Sequence, residues 1–229
     1  MSRHATCPPF VYRAIAVLAV TLLTLAGCTK REAEARSGAG CIANSIGTLH
    51  LTPTIPSCAG DAELVCRAKC LFGDSSSCLG LAYELDKDPK QAEEALQCYR
   101  KACVGGAANA CTNFAASIWA GHPTAAELTC ARRTFEKACA ANEPFACGMV
   151  GRVLLEATNP PPYARGRAYL ESACDKVGGF PCRVLAKHLE SGKLGSYKPE
   201  QIRALLTRAC ATGDADACGN PRTATETFH

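Results

Sequence analysis

KACVGGAANAC, at residues 101–111, is the stretch that determines how this chain folds. Its two cysteines are separated by seven residues, and two adjacent glycines lie between them. The same spacing recurs in four more pairs, whose first cysteines follow one another at intervals of 33 to 36 residues. The five pairs are Cys70 with Cys78, Cys103 with Cys111, Cys139 with Cys147, Cys174 with Cys182, and Cys210 with Cys218. So regular a pattern indicates a repeated structural unit.

The distance between units predicts the kind of repeat. The first cysteines of successive units are 33, 36, 35 and 36 residues apart, a period typical of solenoids built from helical hairpins. Turn-forming residues such as Gly105 and Gly106 lie inside each pair, and apolar residues with helical spacing flank it, for example Leu96, Tyr99 and Phe114. We therefore predict an all-α solenoid in which each unit is a helix, a tight turn and a second helix.

The amino terminus has the features of an export signal. Arg3 and Arg13 precede an apolar run at residues 14–25, which is too short to span a hydrocarbon core of about 30 Å. Leu-Ala-Gly-Cys at residues 25–28 then resembles the lipobox of bacterial lipoproteins, in which the cysteine is acylated and becomes the first mature residue. This resemblance implies a leader at residues 1–27 and lipidation of Cys28. The alternative is an ordinary secretory leader followed by an unmodified cysteine.

Residues 28–40 are expected to form a flexible tether, because those after Cys28 are small or charged and none is a large apolar residue. No later stretch is apolar enough to cross a bilayer. We thus expect attachment through the lipid alone, most readily to the outer membrane, with the folded part periplasmic or at the cell surface. Without the leader, 23 basic residues face 21 acidic ones, so charge gives no support to nucleic-acid binding.

Export places the mature chain in an oxidising compartment, where abundant cysteines are interpreted first as disulfides. A cysteine in the last turn of one helix and a cysteine in the first turn of the next face each other across an antiparallel hairpin. Their Cα atoms can then approach the separation of about 5.5 Å that a disulfide requires. The sequence therefore predicts one bridge within each of the five pairs.

Five cysteines of the mature chain stand outside both the pairs and the lipobox. They are Cys41, Cys58, Cys66, Cys98 and Cys130. We expect Cys41 and Cys58 to close a cap segment at residues 41–60, and Cys66 and Cys98 to join neighbouring first helices, which leaves Cys130 unpaired. The alternative for each of the five is a buried small side chain without a bond.

This pattern looks like the Sel-one-like repeat (SLR), a relative of the tetratricopeptide repeat, in the cysteine-rich form of the Hcp-type secreted bacterial proteins. The resemblance covers residues 61–218, or about four and a half hairpins, because the last unit stops eight residues after Cys210. Residues 219–229 are a polar tail. The resemblance implies an α/α solenoid that mediates protein–protein interaction with an unidentified envelope protein or peptide. The alternative is a purely structural envelope lipoprotein.

An enzymatic alternative also comes from the resemblance, since Hcp-type relatives are often grouped with β-lactamases and penicillin-binding proteins. The sequence contains no Ser-x-x-Lys, Ser-Asp-Asn or Lys-Thr-Gly motif. Its five histidines are scattered, and Cys-x-x-Cys does not occur. We therefore assign no catalytic residue, no metal ligand and no cofactor.

Side chains for a binding role are expected on the first helices, which line the inner face of such solenoids. Candidates are the aromatic and arginine residues that contribute most at interfaces, namely Tyr99, Arg100, Arg132, Arg133, Tyr169 and Arg203. Tyr99 and Tyr169 have an alternative role as interior packing residues. His188 is expected on a helix surface. Basic residues two positions before a cysteine are expected to complement helix dipoles rather than to bind anions; they are Lys101, Lys137 and Arg208.

Overall fold

The structure is a computed structural model that describes residues 41–60, 62–121 and 123–219. Over these ranges the chain is helical and has no β-strand, and one isolated β-bridge joins His50 to Ala107. The predicted all-α class is thereby confirmed. No helix in these ranges is both long enough and apolar enough to cross a membrane. The leader, Cys28 and the tether of residues 28–40 lie outside the described residues.

Ten α-helices and two short 3-10 segments make up the described chain. The helices are α1 (Ala62–Leu71), α2 (Ser75–Leu85), α3 (Ala92–Val104), α4 (Ala108–Ala120), α5 (Ala125–Ala140), α6 (Pro144–Glu156), α7 (Tyr163–Val177), α8 (Gly179–Glu190), α9 (Pro199–Ala211) and α10 (Ala215–Cys218). The 3-10 segments are Ile42–Asn44 and Pro89–Gln91. Successive pairs form five hairpins, and the second helix of the last hairpin is a single turn.

All five predicted bridges within the units are present. Each joins the last turn of a first helix to the first turn of the following second helix, and the paired Cα atoms are 4.5–4.6 Å apart. This distance lies within the range that a disulfide tolerates. Each bridge therefore holds the two helices of its unit together at the turn.

Hairpins stack because each second helix packs against the first helix of the next unit as well as its own. The position four residues before the first cysteine of a unit provides several of the large core side chains. It holds Tyr99, Phe135, Leu170 and Leu206, each no more than 3% exposed. In the first unit the same position holds Cys66, so this unit contributes a smaller side chain and a sulfur atom to the core.

The second helices begin in different ways. Three have an acidic side chain that accepts hydrogen bonds from the backbone of the first turn; the acids are Asp74, Glu143 and Asp214. Ala107, which precedes α4, has no such side chain. The carbonyl of His50 accepts the N–H of Ala108 at 2.9 Å instead. A segment far from α4 along the chain thus supplies its missing N-cap.

Outside the repeat pairs, the cysteines are bonded differently from the prediction. Cys41 is joined to Cys130 and Cys58 to Cys66, with Cα separations of 5.2 and 5.8 Å. Cys98 is the free thiol of the described chain; it is buried, and burial raises its pKa. The expected Cys41–Cys58 and Cys66–Cys98 bridges were wrong, as was the unpaired Cys130. Residues 41–58 do not close a local loop but extend across three units. The spacing of cysteines along the sequence does not show such a path.

His188 was also placed wrongly, since it is only 6% exposed rather than on a helix surface. Its Nε2 lies 3.5 Å from Oε1 of Glu156 on the neighbouring α6. Burial lowers the pKa of His188, and the nearby Lys187 and Lys193 act in the same direction, while Glu156 opposes them. The histidine is therefore neutral near pH 7 and packs in the core.

We predict that replacing both Cys139 and Cys147 with Ala lowers the free energy of unfolding by about 2.5 kcal/mol, the chain-entropy value for a loop of nine residues. Urea unfolding of the oxidised protein measures the change through the midpoint of the transition. Cys98→Ala is the matched control, because it removes a buried thiol without opening a bridge. A double variant no less stable than this control would contradict the prediction.

We further predict that His188 makes the fold sensitive to mild acid. An unfolded histidine has a pKa of about 6.5, and the folded pKa of His188 is lower. The unfolded chain therefore takes up the proton first, and stability decreases as the pH falls below about 6.5. Unfolding midpoints at pH 7.5 and pH 5.5 should differ less in His188→Leu than in the natural chain. A persistent difference in His188→Leu would assign the effect to other groups.

Candidate interaction surface

The exposed side of the first helices is defined by three positions in each unit. Residues nine, six and two positions before the first cysteine lie opposite the buried positions of the helix. In α3, α5, α7 and α9 they are Glu94, Gln97, Lys101, Cys130, Arg133, Lys137, Arg165, Ala168, Ser172, Gln201, Ala204 and Arg208, and all except Gln97 and Cys130 are exposed. We call this surface the first-helix face.

Residues 41–58, which we call the N-terminal segment, cover part of this face. Cys41 is bonded to Cys130, and Nζ of Lys137 donates a hydrogen bond to the carbonyl of Ile46 at 3.1 Å. Ile42 and Ile46 are 2% and 5% exposed and belong to the main apolar core. On α5, therefore, the chain itself occupies the surface where a partner was expected to bind.

The N-terminal segment then crosses the turns of the second and first units. The N–H of His50 donates to the carbonyl of Gly106 at 2.9 Å, and its carbonyl caps α4. Residues 52–54 pass the turn before α2. The backbone of Pro56 lies so close to Gly80 of α2 that no side chain fits there, and the bridge from Cys58 to Cys66 fixes the end of the segment.

The first-helix face remains open on α7 and α9. The guanidinium of Arg165 lies 5.9 Å from the centre of the Tyr169 ring, within the range of a cation–π contact. Arg165 is exposed and Tyr169 is half-buried. Tyr169 also packs against the main apolar core, so its packing alternative is partly correct, and the pair presents a positive charge beside the exposed part of an aromatic ring.

Tyr99 does not belong to the surface. It is 1% exposed, its hydroxyl donates a hydrogen bond to Oδ2 of Asp86 at 3.3 Å, and its ring meets that of Tyr83 edge-on at 5.9 Å. Burial raises the pKa of Tyr99. The packing alternative is correct for this residue, and its assignment to a binding site was wrong.

The remaining four candidates fall into two groups. Arg100 and Arg132 are half-buried, and Nε of Arg132 lies 4.0 Å from Glu136 of the same helix. Arg133 and Arg203 are exposed, and the described part of the chain offers neither of them an ion pair. The structure thus brings together Tyr169 and the unpredicted Arg165, and it does not collect the six candidates into one cluster.

The basic residues near the ends of the first helices make individual contacts. Lys137 binds the N-terminal segment, as described above. Arg208 donates hydrogen bonds to the Asp175 side chain at 3.1 Å and to the Asp175 carbonyl at 2.7 Å, which connects α9 to α7. Lys101 is exposed. These residues therefore join units or segments in addition to lying at helix ends, where their charge is favourable.

A buried polar group that the sequence did not indicate lies between the second helices. The carboxylate of Glu143 is 4% exposed; it accepts the hydroxyl of Thr112 at 2.6 Å and the N–H of Ala146 at 2.6 Å. Only its place directly before Pro144 hints at this capping role. Over the described residues, no three His, Cys, Asp or Glu side chains gather where they could hold a metal ion.

Comparison with known proteins gives matches in structure alone, since no protein-family model and no curated protein matches this sequence. One solved structure is that of c5321, a protective antigen present in uropathogenic Escherichia coli strains that displays an SLR fold. It is 21% identical with a TM-score of 0.58, and the match covers 69% of this chain and 36% of that one. Another is a Sel1 repeat protein from Oxalobacter formigenes, 16% identical with a TM-score of 0.57, covering 68% and 65%.

This chain therefore spans about a third of the length of the first neighbour and just under two thirds of the second. At these identities the likeness concerns the fold. The stacked hairpins and the two structural matches together show that the chain has the SLR fold.

Proposed function

We propose that this chain is a lipid-anchored SLR scaffold that binds an acidic surface of an envelope protein through α7 and α9. The observation that carries the proposal is the contact between the neighbouring Tyr169 ring and Arg165, which lies on the part of the first-helix face that the N-terminal segment leaves open. Tyrosine and arginine contribute more binding energy at interfaces than most other residues. Solenoids commonly use such a continuous surface for recognition.

The charge of this region supports an acidic partner. Arg165 is exposed, and it has no ion pair within the described chain. Carboxylates on a partner can form charge-assisted hydrogen bonds with this guanidinium group. Binding of this kind is also weakened by salt, because exposed charges are screened.

Three features support attachment to a membrane outside the cytoplasm. The lipobox-like residues 25–28 follow an apolar leader, and the following residues up to 40 provide a polar spacer. Seven disulfides in the described chain suit an oxidising compartment outside the cytoplasm. A scaffold held near a membrane in this way meets its partner at raised effective concentration.

The binding proposal predicts that Arg165→Glu together with Tyr169→Ala reduces recovery of the partner by tenfold or more, the effect expected when a central interface pair is lost. The measurement is quantitative pull-down from cross-linked envelopes of cells that produce the natural chain or the variant. Lys187→Glu, an equal charge change on the second helix α8, is the control and should leave recovery unchanged. Equal loss in both variants, or loss in neither, would contradict the assignment to α7 and α9.

The anchoring proposal predicts that the natural chain incorporates labelled fatty acid and that Cys28→Ser abolishes the label. Mass spectrometry of the amino-terminal peptide locates the acyl groups. Cys98→Ser serves as the control, because it removes a different thiol and should keep the label. An unmodified Cys28 in the natural chain would show that the leader is an ordinary secretory one.

A further inference from the structure

The first helix of the solenoid has an unusual exposed face. Leu64, Val65, Leu71 and Phe72 are 76%, 55%, 75% and 93% exposed, and Ala68 between them is exposed as well. The spacing of these residues puts all five on one side of α1 and its following turn. Contiguous apolar surface of this kind commonly marks an interaction site in a soluble protein.

No other first helix presents such a face. In α3 the corresponding five positions hold Gln97, Cys98, Lys101, Val104 and Gly105, and in α5 they hold Arg133, Thr134, Lys137, Ala140 and Ala141. In α7 they hold Ala168, Tyr169, Ser172, Asp175 and Lys176, and in α9 they hold Ala204, Leu205, Arg208, Ala211 and Thr212. Each of these sets has at most one bulky apolar side chain. Terminal units of solenoids usually have a polar outer surface. The apolar face of α1 therefore differs both from such terminal units and from the other first helices of this chain.

Charged residues border the apolar face. Arg67 pairs with Glu63 at 2.7 Å on the same helix and with Glu94 of α3, and Lys69 is exposed on the other side. An apolar centre with a polar rim is the usual arrangement of a protein–protein interface.

Once the proposed leader at residues 1–27 is removed, on which this inference rests, the other segments of the sequence offer little to cover this face. Residues 29–40 contain no large apolar side chain, and residues 220–229 contain only Phe228. The N-terminal segment is fixed elsewhere by its bridges to Cys130 and Cys66. These segments therefore do not supply an occupant with several apolar side chains.

The order of residues on α1 favours a second copy of this chain as the occupant of the apolar face. Relative to Ala68, the bulky residues lie at −4, −3, +3 and +4, so the pattern is the same in both directions. A second α1 laid antiparallel across the first at Ala68 places Leu64 opposite Phe72 of the partner subunit and Val65 opposite Leu71 of the partner subunit. We propose that two copies of this chain associate through α1 in this way, about a twofold axis at Ala68.

The small residue at the centre makes this packing feasible. Helices whose contact is formed by small side chains approach to about 8–10 Å between axes, and the four bulky residues of each copy then flank the crossing. A twofold arrangement uses the same surface on both copies and closes on itself, so it gives a dimer and not a chain of molecules. This inference is independent of the partner proposed for α7 and α9.

The test is the molar mass of the mature chain from Thr29 onward, exported behind an ordinary secretory leader and measured by sedimentation equilibrium at micromolar concentration. We expect a dimer for the natural chain and roughly thirtyfold or weaker dimerisation for Leu71→Glu, as for loss of a central interface residue. Val104→Glu is the matched control, because Val104 is 45% exposed at the same position of α3; it should remain dimeric. Circular dichroism establishes that both variants are folded.

A cross-link locates the axis. Ala68→Cys should give a dimer held by a bond between the two introduced thiols, because helices crossing at about 10 Å bring facing Cα atoms to roughly 5 Å. Ala168→Cys on α7 should not. A monomeric natural chain overturns the proposal, as does a dimer that Leu71→Glu leaves intact. Monomers that bind anionic lipid vesicles and lose this binding in Leu71→Glu would also overturn it, by assigning the face to the membrane.

Discussion

The bond between the last turn of one helix and the first turn of the next is the constraint on which this structure depends. Each bridge contributes about 2.5 kcal/mol in the chain-entropy model, and the net stability of a domain is about 5–15 kcal/mol. Five such bonds are therefore comparable with the whole stability of the fold. They are needed because more than half of the buried apolar residues are alanine or cysteine, and large side chains such as Phe114, Phe135 and Leu170 are fewer. Packing alone stabilises so thin a core weakly.

A second type of bridge determines which surface is free. The bond between Cys41 and Cys130 spans 89 residues, and it holds a segment that buries Ile42 and Ile46 and caps α4 through His50. The N-terminal segment packs into the third and second units, so its side chains belong to the core and do not resemble a reversibly bound ligand. Consequently the solenoid does not offer one continuous first-helix face. It offers an open region on α7 and α9 and a separate apolar face on α1.

Local spacing was sufficient to predict the hairpins, their bridges and the stub at the end, because those features connect residues eight positions apart in a known helical geometry. It was insufficient wherever the chain returns from a distance. Cys41 meets Cys130 through the path of a segment that has no repeat, so elimination among the remaining cysteines led to the wrong pairs. Tyr99 and His188 were misplaced for a related reason. The sequence does not show whether a neighbouring unit covers the polar end of a helix side chain. Asp86, directly after α2, lies near the hydroxyl of Tyr99, and Glu156 of α6 lies near the ring of His188.

The two free surfaces differ in a way that follows from their positions in the stack. On α7 the exposed Arg165 lies over the half-buried ring of Tyr169, and such a pair tolerates water when no partner is bound. On α1 the exposed residues are bulky and apolar, so leaving them in water is unfavourable at all times. The first type of surface suits a partner that comes and goes. The second suits a contact that persists once it is made, and a lasting contact through the first unit would leave α7 and α9 of both copies accessible.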